Sequence, residues 1–98
     1  MKQAKLRTTK WDASEYLKTE EDIANYMATA FEEGDLDLIA LTIGNVAKAR
    51  GMTEIARKAG VSRENLYCSL KKGGDPKLST IVGVMNSLGV KLTVAPLH

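Results

Sequence analysis

The stretch Met52-Thr-Glu-Ile-Ala-Arg-Lys-Ala-Gly60-Val-Ser-Arg-Glu-Asn-Leu-Tyr-Cys-Ser-Leu70-Lys-Lys72 decides how this chain is read. Thr53 reads as the cap of a short helix over about residues 54–59, Gly60 interrupts it, and Ser62 caps a second helix over about residues 63–71. Two short helices joined by a glycine-containing turn define a helix-turn-helix, whose axes approach closely and need small residues at the crossing. Ala56 supplies the small side chain, Gly60 tolerates positive φ, and Ile55, Ala59, Val61, Leu66 and Leu70 seal the inner side. Gly60 follows Ala56 by four residues and Leu66 follows it by ten, which suits the motif. The competing reading is an αα-turn in an unrelated helical bundle.

A helix-turn-helix places its second helix in the major groove of DNA, with the N-terminal residues toward base edges. The residues turned away from Leu66 and Leu70 are then Ser62, Arg63, Glu64, Tyr67, Cys68 and Lys71. Arg63 suits a bidentate contact to guanine, and Tyr67 suits a phosphate or a thymine methyl. Glu64 either accepts from cytosine N4 or serves as a first-turn acid on the helix dipole. Arg57, Lys58, Lys71, Lys72 and Lys77 read as phosphate contacts, which set position without reading sequence. Cys68 reads as a small groove-facing or half-buried residue.

Outward from this motif the pattern is helical. Asp12 with Glu15 reads as a capping box over one turn at about residues 13–17, and Thr19 with Asp22 opens a helix that runs to Glu33. The apolar stripe of that helix is Ile23, Tyr26, Met27, Ala30 and Phe31, and Gly34 stops it. Asp35 caps the next, with Leu36, Ile39, Ile43, Val46 and Ala47 as its stripe and Gly51 as its end. Gly44 inside it costs about 1 kcal/mol relative to alanine, which close packing would explain. Residues 72–76 read as a loop, and Lys77 or Ser79 leads into a last helix carrying Ile81, Val82, Met85 and Leu88 before Gly89. Residues 90–94 alternate apolar and polar side chains like a half-buried strand, which would pair across a twofold axis or with a partner's sheet edge, or else lie as an extended tail. The expectation is an all-α domain of about five helices with a short C-terminal β-strand. Residues 1–18 form an arm with a short helical turn, and residues 19–98 form the DNA-binding domain.

Charge is segregated along the chain. Residues 1–10 carry four bases and no acid, residues 11–47 carry nine acids against Lys18 alone, and residues 48–77 carry eight bases against three acids. Such polarity suits two surfaces with partners of opposite sign, or two merely solvated faces. No stretch approaches the roughly 20 apolar residues of a membrane span, and the basic N-terminus lacks the apolar run of a secretory signal, so the expected compartment is the cytoplasm. Cys68 is the only cysteine and His98 the only histidine, which argues against a disulfide scaffold, a zinc module and a Ser/His/Asp enzyme. No metal and no cofactor is expected.

These residues resemble the Cro/repressor-like helix-turn-helix superfamily, and within it the addiction-module antidote proteins of the HigA antitoxin type. Beyond the central motif, the resemblance rests on Trp11-Asp-Ala-Ser-Glu-Tyr-Leu17, Glu20-Glu-Asp-Ile-Ala24, Ala47-Lys-Ala-Arg-Gly-Met52, Val61-Ser-Arg-Glu-Asn-Leu-Tyr67, Gly73-Gly-Asp-Pro76 and Leu88-Gly-Val-Lys-Leu92. Two positions depart from the wider superfamily: Met52 stands where a polar residue is common, and Ser69 where an apolar one is. The resemblance implies a cytoplasmic homodimeric antitoxin that neutralises a RelE/HigB-like mRNA-cleaving toxin and represses its own operator DNA. A nuclease toxin would be basic, so residues 11–37 are expected to face it and residues 50–77 the operator. The alternatives are a transcriptional repressor with no toxin partner and a helical protein-binding module.

Overall fold

The computed structural model describes residues 17–97, and their elements are five helices: α1 (Glu20–Glu33), α2 (Leu36–Arg50), α3 (Met52–Ala59), α4 (Arg63–Ser69) and α5 (Leu78–Ser87). The helical turn expected at about residues 13–17 falls almost wholly outside the described residues. Local chemistry sets most of the boundaries. The Thr19 hydroxyl accepts from the Asp22 amide at 3.0 Å while the Asp22 carboxylate accepts from the Thr19 amide at 3.2 Å, a reciprocal cap that satisfies donors at the start of α1. Asp35 Oδ1 accepts from the amides of Asp37 and Leu38 at 3.0 and 3.2 Å and starts α2 in the same way.

The helices pack as α1 on α2, α2 on α3, α3 on α4 and α3 on α5. Ile23, Ile43, Val46, Leu66 and Val84 are the large side chains wholly withdrawn from solvent, and together they draw on every helix but α3. Met52, Ile55 and Ala56 add α3 to the same core. Tyr26 and Asn45 link α1 to α2 at its edge, with the Asn45 amide donating to the Tyr26 hydroxyl at 3.3 Å.

Gly44 confirms close packing in α2. A Cβ built there would lie 2.4 Å from the carbonyl oxygen of Leu70, so α2 crosses the end of α4 at backbone distance. That crossing also corrects the end of α4: the helix stops at Ser69, short of residue 71, where the chain meets α2.

Other boundaries and faces differ from the sequence reading for identifiable reasons. Thr53 is not a cap but an exposed residue within α3. Gly51, at φ +107°, serves as both the end of α2 and the start of α3, and so sharp a corner lets Met52 enter the core at once. Leu36 is 80% exposed, because the first turn of α2 overhangs a groove rather than meeting α1. Val82 is exposed while Thr80 and Val84 are buried. The close approach of Gly83 to Ala59 of α3 sets the rotation of α5, turning Thr80 inward and Val82 outward. Within the single chain residues 90–94 form no strand; the expected pairing is with another copy or a partner's sheet edge. The Val90 amide donates to the Met85 carbonyl as part of the helix end, and residues 91–97 form no ladder with any described residue. The described residues hold no strand for this segment to pair with.

Helix propensity alone would make Gly44→Ala stabilising by about 1 kcal/mol. The Leu70 backbone leaves no room for the methyl group, and overpacking of this kind costs typically about 1–3 kcal/mol. We expect a net destabilisation in urea-induced unfolding; a stabilised variant would show that α2 and α4 do not approach so closely.

Candidate nucleic-acid interface

The surface in question is built by α3, the turn at residues 60–62 and α4. The turn is rigid for local reasons. Gly60 takes the left-handed conformation at φ +78°, the Val61 amide donates to the Ala56 carbonyl at 3.1 Å and the Gly60 amide to the Arg57 carbonyl at 3.3 Å. This pair of bonds is the Schellman closure, which ends α3 with its last carbonyls satisfied. Two residues on, the Ser62 hydroxyl accepts from the Asn65 amide at 3.0 Å and starts α4. The expected roles of Gly60 and Ser62 in the turn are thus both present in the structure.

Orientation of α4 follows from two leucines. Leu66 has no solvent exposure and Leu70 is buried beside it, so the opposite side of a two-turn helix faces outward. Arg63, Glu64, Asn65, Tyr67 and Cys68 are all exposed on α4, as are Lys71 and Lys72 just beyond it. Tyr67, 51% exposed, is steadied by Lys48 of α2, whose Nζ lies 5.1 Å from the ring centroid in a cation–π contact. Helix α4 stands between two hollows. One is lined by Leu41, Lys48, Tyr67, Cys68, Leu70 and Lys71, and the other runs between α4 and the start of α5, past Asn65, Ser69, Pro76 and Lys77.

The ten residues expected to contact DNA therefore do not form one uniform set. Glu64, Tyr67, Cys68 and Lys71 share the outward side of α4 and its end, whereas Arg63, on the stripe of Leu66 and Leu70, is exposed as the first residue of the helix. Ser62 spends its hydroxyl lone pair on the cap. Lys77 starts α5 and borders the second hollow. Arg57 and Lys58 lie on α3 and meet an acid of their own helix. Arg57 Nε donates to Glu54 Oε1 at 3.3 Å, a second guanidinium nitrogen pairs with Oε2, and Lys58 Nζ stands 3.9 Å from Oε2. The hydrogen bond from Arg57, reinforced by the charges of Arg57 and Lys58, holds the Glu54 carboxyl below its usual value, and the Arg57 guanidinium is raised in turn. Glu54 is ionised at neutral pH and offsets part of the positive charge of α3.

Two exposed residues escaped the sequence reading. Lys48 joins this surface only because α2 crosses α4, a tertiary fact with no local signature. Asn65 carries an amide of the kind that reads adenine, and its position on α4 could have flagged it. Met52 and Ser69, the two departures from the superfamily pattern, find different solutions. Met52 is buried, and the half-buried Ser69 hydroxyl donates to the Leu66 carbonyl at 3.2 Å.

Among the described residues no group of three or more His, Cys, Asp or Glu side chains is placed to hold a metal ion, and no helix is long and apolar enough to cross a membrane. No solved structure matches the chain. It is 39% identical over 84 residues to an uncharacterized protein of Haemophilus influenzae, the match covering 86% of this chain and 87% of that protein. A family model described as "probable addiction module antidote protein" matches residues 7–96. With nearly its full length inside that match, the chain belongs to the probable addiction module antidote family.

Proposed function

We propose that this chain is the antitoxin of a type II toxin–antitoxin module: a HigA-type protein that neutralises a RelE/HigB-like mRNA-cleaving toxin and represses its own operon as a homodimer in the cytoplasm. Family membership supports the antidote role, since an antidote implies a toxin. The single observation that carries the DNA-binding half is the outward side of α4, pinned by Leu66 and Leu70 and presenting Tyr67 and Cys68 from a ridge between two hollows, with Arg63 exposed at its first turn.

In this reading α3 and α4 form a Cro/repressor-like helix-turn-helix. Helix α4 enters the major groove, where Arg63 and Asn65 take base edges and Tyr67, steadied by Lys48, packs against the backbone or a thymine methyl. Lys48, Lys71, Lys72 and Lys77 neutralise phosphates around it. Arg57 and Lys58 contribute less than their number suggests, because Glu54 competes for both. The acids of α1 and of the start of α2 would be repelled by DNA and are left for the toxin.

The direct test is a mobility-shift titration against the DNA upstream of the chain's own gene. Arg63→Ala is expected to weaken specific binding by about 1–3 kcal/mol while leaving toxin neutralisation intact; equal loss of both would contradict the division of surfaces. Glu54→Gln is expected to tighten DNA binding at low salt and to steepen the salt dependence, by a log–log slope of about 0.9 for each base released to a phosphate. An unchanged slope would remove α3 from the DNA-facing surface.

A further inference from the structure

A second, more apolar surface meets the hollow beside α4 at Asp75 and Pro76. The end of α1, the overhanging first turn of α2, the loop before α5 and the first turn of α5 enclose an open groove of ≈ 260 Å³. Phe31, Leu36, Leu78, Ile81 and Leu92 line it, and Leu36 and Leu78 are 80% and 72% exposed. A single exposed leucine needs no explanation, but several large apolar side chains converging on one groove mark an interaction surface.

Charge around the groove limits what fits there. Glu32, Glu33, Asp35, Asp37 and Asp75 are exposed and lie at or near the lining residues in sequence, against Lys77 and Lys91 as the neighbouring bases. Asp37 accepts from the Gly73 amide at 2.9 Å, which fixes the loop carrying Asp75 beside the start of α2. Nucleic acid is repelled by such a rim. A second copy is disfavoured as well, because a twofold contact brings the same carboxylates face to face. A protein that binds RNA must itself be basic and meets these acids with opposite charge.

We propose that this groove is the toxin-docking site, receiving an apolar segment of the toxin with basic residues on its flanks. The assignment rests on the antitoxin reading and locates the part of the acidic half that supplies binding energy: the leucines anchor, and the carboxylates orient and steer. It also accounts for Leu36, which is well placed as a helix-stripe residue in sequence yet serves no packing role in the single chain.

The test uses the full chain and, as probe, the small protein encoded by the adjoining reading frame of its operon. Both leucines are largely exposed, so a Leu36→Ser, Leu78→Ser double variant should keep its unfolding temperature. The expected result is toxin binding weakened by roughly 30-fold or more, with DNA binding and molecular mass in solution unchanged. Glu32→Lys with Glu33→Lys should weaken toxin binding as well and make it less sensitive to salt. Unaltered toxin affinity in both variants overturns the docking site while leaving the antitoxin reading in place. A leucine variant that changes molecular mass without changing toxin affinity assigns the groove to a second copy and also overturns it. Failure of the unmodified chain to bind the neighbouring protein overturns the antitoxin reading itself, and the docking site with it.

Discussion

A helix of two turns has no stability of its own in water, so α4 holds its place only because Leu66 and Leu70 are buried. The rest of the proposed DNA surface depends on that burial. Leu66 is held from the α3 side through the closed turn at Gly60, and Leu70 from the α2 side through the backbone approach at Gly44. With both ends fixed, rotation of α4 is set, and Tyr67 faces outward as a consequence of packing, while Arg63 is exposed as the first residue of the helix.

Two groups of charges meet at the loop before α5, where the Asp37 carboxylate accepts from the Gly73 amide next to Lys72. The bases of α4 and its flanks gather on one side, with Lys48 drawn in from α2 by the helix crossing. The acids of α1 and the start of α2 adjoin a groove whose apolar lining comes from four parts of the chain. Opposite charges on a small protein would attract copies of it to one another. Glu54 tempers this locally, because its pairing with Arg57 and Lys58 lowers the positive field over α3. In the proposed repressor such moderation would ease release of DNA, since every unopposed phosphate contact steepens the salt dependence of binding.

Much of this was legible in the sequence where the signal is local. Caps at Thr19, Asp35 and Ser62, the stops at Gly34 and Gly60, and the inward leucines of α4 are each written in a few neighbouring residues. What was not legible depends on partners far along the chain. The extent of α4 is set by α2, the burial of Met52 by the corner at Gly51, and the place of Lys48 by a helix crossing. The exposure of Leu36 shows the limit of periodicity, which gives a stripe but not which turn of it finds a neighbour. The strand expected at residues 90–94 shows the converse: alternation is a property of the segment, but a strand is a property of a pair.

In the proposed division of surfaces, α4 reads DNA while α1 and the start of α2 do not. Amide chemical-shift changes in isotope-labelled protein, followed as its own upstream DNA is added at moderate salt, test this most directly. The largest changes are expected at residues 62–72 and at Lys48, with residues 20–37 nearly still. Large changes along α1 with α4 unmoved would contradict it.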